Sequence, residues 1–295
     1  MTAAGRALDL GASEAYARWR ATKLAGHPGR LEELVVEVRD PRRLAESERG
    51  ALLERCARAN MALYASTLGR DPDKEIPRQL GLQLGLSRMD ANYLADDDGI
   101  SPIAVAAGGK RAEFIPYTNR AIRWHTDGYY NPPGRAIRAF LLHCVEEAQS
   151  GGENGLLDPE IIYILLRDED PEHVRALMAG DAMTIPARGE EGAQDRPAQG
   201  GPVFSVDPEG HLHMRYTARS RSIQWKDDRA TGSAVRALEG LLAGAAARWA
   251  FRAALKPGWG LVCNNVLHDR RAFSDSDARR RLLYRVRYHD RVASE

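Results

Sequence analysis

Residues 121–133 read Ala-Ile-Arg-Trp-His-Thr-Asp-Gly-Tyr-Tyr-Asn-Pro-Pro, a strand pattern that stops at a glycine and a turn. Side chains two apart on a strand point to the same face, so His125 and Asp127 present an imidazole and a carboxylate side by side. That donor pair suits Fe(II), Mn(II) or Zn(II). A His-x-Asp pair alone is common by chance and needs a third donor from elsewhere in the chain. His268 is the natural third donor: it ends the apolar strand read over residues 260–268, GLVCNNVLH. Two imidazoles and one carboxylate, with coordination positions left open, form the facial triad that iron needs for oxygen chemistry.

Around this stretch, from about Ser101 onward, the chain is a series of short runs broken by turn residues. PIAVAA, RAEFIPY, AIRWHTD, AIRAFLLHCV, AMTIPA, PVFSVD, HLHMRYT, GLVCNNVLH and RLLYRVRYHD each have the length and composition of a strand. Helical periodicity interrupts them at Pro159–Arg167, Pro171–Met178 and Ala234–Ala247. Many short strands with few helices predict a mainly β sandwich or barrel, not a βαβ sheet. Residues 1–100 read mostly helical. A helix is expected over Ser13–Leu24, a strand over Leu34–Val38, and a helix capped by Ser47 that carries Leu52, Leu53, Cys56, Ala59 and Leu63. DPDKEIP (Asp71–Pro77) reads as a break, and QLGLQLGLSRMD (Gln79–Asp90) as a short helix and a turn. The polar, glycine-rich Ala187–Gly201 reads as a mobile surface loop. With no internal repeat, residues 1–295 are expected to form one domain, helical over 1–100 and β over 101–295.

A charge pattern near the C-terminus adds a second chemical clue. In the strand that follows Ala278, Leu282, Tyr284, Val286 and Tyr288 share one face, while Arg281, Arg285 and Arg287 share the other. Several arginines on one face are costly unless they are solvated or supplied with anions. A guanidinium fork grips a carboxylate bidentately, which lysine does less well.

Four segments in order, WHTD (Trp124–Asp127), GGEN (Gly151–Asn154), NNVLHDR (Asn264–Arg270) and RLLYR (Arg281–Arg285), resemble the iron(II)/2-oxoglutarate oxygenases of the taurine dioxygenase (TauD/TfdA) and γ-butyrobetaine hydroxylase type. The resemblance covers roughly Tyr117 to Asp290. It implies a double-stranded β-helix (jelly-roll) core with flanking helices, and iron held by His125, Asp127 and His268. It also implies 2-oxoglutarate and O2 as cosubstrates. Arg281 matches the arginine that pairs with the distal carboxylate of 2-oxoglutarate, and Arg285 a second arginine near it. The family usually has threonine where this chain has Asn154, whose amide still donates a hydrogen bond. Arg279 and Arg280 are minor competitors for the anchoring role. A retained carboxylate at Asp127 favours hydroxylation over halogenation. The MRYTAR segment (Met214–Arg219) resembles the γ-butyrobetaine hydroxylase side, and Tyr117, Asn119, Tyr129, Tyr130 and Asn131 suit a small polar or zwitterionic substrate. The alternatives are a non-catalytic 2-oxoglutarate sensor or scaffold, and a zinc-binding structural jelly roll.

Charge and composition exclude several other classes. Lys plus Arg number 42 against 41 Asp plus Glu, which leaves no electrostatic footprint for nucleic acid. Cys56, Cys144 and Cys263 are too far apart for a Cys-x-x-Cys site and read as buried thiols of a reducing compartment. No stretch has the length of a signal peptide core or a membrane span, so a cytoplasmic protein is expected, with homo-oligomerisation left open. His211 and His213 share a strand face without the glutamate a cupin needs and read as structural, as do His27, His143, His173 and His289. The Asp96–Asp98 run lacks a calcium-loop ladder.

Overall fold

A computed structural model describes residues 3–90, 96–187, 196–219 and 223–292. In chain order the N-terminal elements are α1 (Ala3–Ala7), α2 (Ser13–Gly26), β1 (Val35–Val38), α3 (Glu46–Ala59), β2 (Met61–Ser66) and α4 (Glu75–Gln83). Strands β3 (Ser101–Ile103), β4 (Ile122–His125), β5 (Ala139–Glu146), β6 (Ser150–Gly151) and β7 (Asn154–Leu157) precede α5 (Pro159–Glu169) and α6 (Pro171–Leu177). Next come β8 (Met183–Ile185), β9 (Gln199–Gly201), β10 (Phe204–Val206), β11 (Leu212–Met214), β12 (Gln224–Trp225) and α7 (Arg229–Gly240). The chain closes with β13 (Phe251–Ala253), β14 (Trp259–Cys263), β15 (Leu267–Arg270), β16 (Phe273–Ser274) and β17 (Leu282–Tyr288).

The described chain forms two compact units. One draws on residues 1–27, 124–136 and 157–250, the other on 28–123, 137–156 and 251–295. The second unit holds a six-stranded sheet in the order β1-β2-β14-β5-β17-β3, antiparallel except for the β1–β2 pair. Its central strands are apolar on both faces because both faces are covered. Ala139 and Leu141 of β5, Val262 of β14 and Val286 of β17 point to a core shared with Leu52, Leu53 and Cys56 of α3 and Leu80 of α4. Phe140 and Leu142 of β5 and Leu261 and Cys263 of β14 point the other way, against Leu156, Phe251 and Ala253. Those last residues lie on β7 and β13 of a four-stranded sheet ordered β13-β7-β15-β4. The first unit carries the small antiparallel sheets β10-β11 and β12-β8-β9, with α1, α2, α5, α6 and α7. No helix among the described residues is long and apolar enough to cross a membrane.

Several expectations shift. The helix expected to reach Leu63 stops at Ala59, where Asn60 takes a left-handed conformation (φ 58°) and Met61–Ser66 becomes β2. Its N-cap is Ala45 rather than Ser47, with the Glu48 carboxylate accepting the Ala45 N–H at 2.7 Å. RAEFIPY is not a strand: it folds as short 3-10 turns over Lys110–Glu113 and Ile115–Tyr117, where Pro116 lacks a ladder donor. The expected single strand GLVCNNVLH is two strands, β14 and β15, broken at Asn264 and Asn265. Much of the expected Ala187–Gly201 loop lies outside the described residues, and its end is β9.

Candidate metal centre

β4 ends at His125, and the chain continues extended through Thr126 and Asp127 before Gly128 turns it at φ 68°. Thr126, fully buried, holds this extension in place: its N–H donates to the Tyr216 carbonyl at 3.0 Å, and its Oγ1 accepts the Tyr216 N–H at 3.0 Å. His125 bridges Thr217 in the same antiparallel pairing. The side chains on either side of Thr126 therefore face the same way, with His125 Nε2 3.9 Å from Asp127 Oδ1.

The third donor arrives through a corner that sequence reading missed. Asn265 adopts a left-handed conformation (φ 50°), and its Nδ2 donates to the Ile137 carbonyl at 2.7 Å. Asparagine tolerates this region where most residues resist it. Asn264 is fixed beside it, its Oδ1 accepting the Val292 N–H at 2.9 Å. The corner takes the chain from the six-stranded sheet into β15, beside β4. His125, Asp127 and His268 are all buried, and one donor atom from each lies within 4.8 Å of the others. His268 Nδ1 sits 3.0 Å from the Val266 carbonyl. Donation there makes Nε2 the nitrogen that would face a metal. The Phe140 ring packs 4.6 Å from the imidazole and shields it. Two imidazoles and a carboxylate, buried and convergent, fit a divalent first-row metal such as iron.

Asp269 fastens the same strand from its other face. It pairs with both terminal nitrogens of Arg252 and accepts the Gly155 N–H at 2.9 Å. Asn154 is buried, and its Nδ2 donates to the Asp269 carbonyl at 3.2 Å, so one of its two amide hydrogens is already committed.

Arg281 is 5% exposed, and among the described residues its side chain has no carboxylate partner. Burial pushes its pKa down to about 10, so it stays charged at neutral pH. The GGEN glycines fit against it: Gly151 (φ 75°) and Gly152 (φ 80°) both need the left-handed region, and a Cβ at Gly152 would stand 3.2 Å from Arg281 Nε. Phe273 lies between two guanidiniums, 5.1 Å from Arg281 and 5.0 Å from Arg270. Arg270 donates to the carbonyls of Ile115, Pro116, Thr118 and Arg120, tying down the segment that leads into β4. Burial, then the charges of Arg281 and Arg285, lower its pKa to about 9. Arg281 and Arg285 thus belong to one cationic cluster. Arg287, on the face expected to bind anions, is instead paired with buried Asp90 at 2.6 Å. Arg279 and Arg280 are exposed and meet Glu147 and Asp277 at the surface.

The remaining expectations for histidines and acids resolve locally. His211 meets Asp207 at 3.4 Å, His143 bonds Tyr64 at 2.8 Å, and Asp96 and Asp98 pair with Lys74 at 2.6 and 2.8 Å.

Residues 69–287 match the model of the taurine catabolism dioxygenase TauD, TfdA family, and the chain belongs to that family. It is 32% identical over 172 residues to a uridine-5'-phosphate dioxygenase of an Amycolatopsis species, covering 56% of this chain and 60% of that protein. The chain thus spans less than two thirds of that relative's length. A uridine-5'-phosphate dioxygenase of a Streptomyces species is 32% identical over 201 residues, 64% of this chain and 69% of that one. The crystal structure of the non-haem iron oxygenase OrfP in complex with iron and α-ketoglutaric acid aligns with a TM-score of 0.61 at 18% identity. That alignment covers 84% of this chain and 81% of OrfP, so the two share a fold.

Proposed function

We propose that the chain is an Fe(II)- and 2-oxoglutarate-dependent dioxygenase that hydroxylates a small polar molecule. The observation that carries this reading is the convergence of His125, Asp127 and His268, buried, with donor atoms within 4.8 Å. Within the second unit the six-stranded sheet packs through Leu156 of β7 and Phe251 of β13, which supports a jelly-roll core. The family match draws on both units and supports one oxygenase domain. Three buried, free cysteines support a cytoplasmic setting.

Bound iron(II) supplies the activation of O2, coupled to conversion of 2-oxoglutarate to succinate and CO2 and of a substrate C–H to C–OH. The protein's part is placement. His125, Asp127 and His268 would hold the metal, with the Val266 carbonyl fixing the His268 tautomer. Arg281 pairs with the distal carboxylate of 2-oxoglutarate, and Arg285 adds positive charge nearby. Asn154, where the family usually has threonine, keeps one amide hydrogen for the same carboxylate. Phe140 and Phe273 keep water from the charged groups, which strengthens each of these contacts. The uridine-5'-phosphate dioxygenases at 32% identity support a nucleotide as the substrate.

Uncoupled turnover tests the reading. Iron-loaded protein given 2-oxoglutarate in air should form succinate without any added substrate, and Asp127→Ala should abolish it. Turnover unchanged in Asp127→Ala would remove Asp127 from the site.

A further inference from the structure

The first unit contains a group of side chains that the metal and cosubstrate do not use. Tyr129 follows Asp127 by two residues, and its hydroxyl is hydrogen-bonded by the side chains of Thr217 and Arg219. Thr217 is the residue whose backbone bridges His125. Tyr130 stands edge-on to Tyr129, with ring centroids 5.2 Å apart, and Arg196 lies over the Tyr130 ring at 5.8 Å. Arg196 Nη2 donates to the Pro186 carbonyl at 2.8 Å, while its Nη1 is buried without a partner. Arg215 bonds the Gln199 and Met183 carbonyls, which fixes β9 just beyond Arg196. Among the described residues neither Arg196 nor Arg219 forms an ion pair with a carboxylate.

Two guanidiniums with no carboxylate partner among the described residues, next to two tyrosine rings and the metal-bearing strand, suit an anionic ligand that carries a ring. A zwitterion brings an ammonium that would need an acidic partner, and among the described residues this cluster offers none. A phosphate monoester carries a charge of about −1.5 to −2 at neutral pH and takes guanidiniums by paired, charge-assisted hydrogen bonds. Tyrosine rings offer flat apolar faces and edges to an aromatic ring carried on the same molecule.

We infer that Arg196 and Arg219 form the phosphate subsite for a nucleoside 5'-monophosphate whose base packs on Tyr129 and Tyr130. The inference rests on the oxygenase reading above and goes further by assigning the substrate's charge to two named residues. Arg196 and Arg219 touch the substrate's phosphate, not the reacting carbon, so they set affinity and specificity.

The test is equilibrium binding to the anaerobic protein loaded with Fe(II) and 2-oxoglutarate, with uridine 5'-phosphate and uridine as the two probes. Charge-assisted contacts of this kind predict a preference of about 10- to 100-fold for the phosphorylated probe. Arg219→Gln, at an exposed position, and Arg196→Gln should each remove most of that preference, while 2-oxoglutarate affinity stays within about twofold of wild type. Equal affinity for both probes in the wild type overturns the inference. So does a preference that survives in both variants, or no binding of either probe to protein that still takes up 2-oxoglutarate. Failure to bind 2-oxoglutarate at all is a different result: it removes the oxygenase reading, and the inference with it.

Discussion

A guanidinium at 5% exposure that forms no ion pair among the described residues pays a desolvation cost that an arriving anion offsets. Removing one partner of such a pair costs about 2–5 kcal/mol, so Arg281→Ala should raise the KM for 2-oxoglutarate by about 30-fold or more. Arg281→Lys should recover only part of this, since the planar fork is lost. Steady-state kinetics at varied 2-oxoglutarate check it, and an unchanged KM would move the anchor to Arg285. At this scale much of the site was legible in the sequence. The spacing of His125 and Asp127 reads as a donor pair, His268 joins them with the resemblance of the four segments to the family, and one donor atom from each lies within 4.8 Å of the others. Strand alternation does not say which of the neighbours Arg279, Arg280 and Arg281 is buried. Their surroundings do: the first two meet surface acids, and the third is enclosed by Phe273 and the paired glycines. The carbonyl-binding role of Arg270 left no signal, since backbone acceptors carry no residue identity.

The element that matters most to the metal centre is the Asn264–Asn265 corner. Replacing Asn265 by alanine forces a less tolerant residue into the left-handed region, at about 1–2 kcal/mol, and loses the bond to Ile137. Asn265→Ala should therefore lower both unfolding stability and metal affinity, because His268 lies only three residues beyond. Denaturant unfolding and Mn(II) titration read the two effects, and a destabilised variant with wild-type metal affinity would uncouple the corner from the site. Gly152→Ala tests the cradle in a similar way. Its Cβ would press on Arg281 at a φ of 80°, so 2-oxoglutarate affinity should fall while metal affinity holds; the reverse pattern would contradict the cradle. The corner escaped sequence reading because an apolar run is the same whether it stays in one sheet or changes sheets. β2 escaped for a related reason: Leu63 continues the helical spacing of α3, and only the left-handed Asn60 ends it. RAEFIPY forms no strand despite its β-prone residues, because the proline among them has no N–H for a ladder.

Across the whole molecule, expecting many short strands was sound, because the central strands alternate between two covered faces and so read as continuous apolar runs. What the sequence concealed is how the strands are shared between sheets, which depends on long-range pairing such as β14 between β2 and β5. That pairing also buries His143, which accepts or donates a hydrogen bond at Tyr64 in the middle of the six-stranded sheet. Burial lowers its pKa to about 4, below the ordinary 6.5, so the unfolded chain binds the proton more tightly. Its contribution to stability is complete above pH 6.5 and declines as the pH falls towards 4, by on the order of 3 kcal/mol in all. His143→Gln should flatten that part of the pH profile in denaturant unfolding, and an unchanged slope would exclude His143 as its source. The central claim concerns iron and 2-oxoglutarate together, and one measurement addresses both. Titrate the metal-free protein anaerobically with Fe(II) and then 2-oxoglutarate, and follow the weak visible charge-transfer band of the chelate. The account predicts a band in the wild type that is lost in Arg281→Ala at the same cosubstrate concentration. No band in the wild type, together with tight binding of zinc, would contradict it and leave His125, Asp127 and His268 as a structural zinc site.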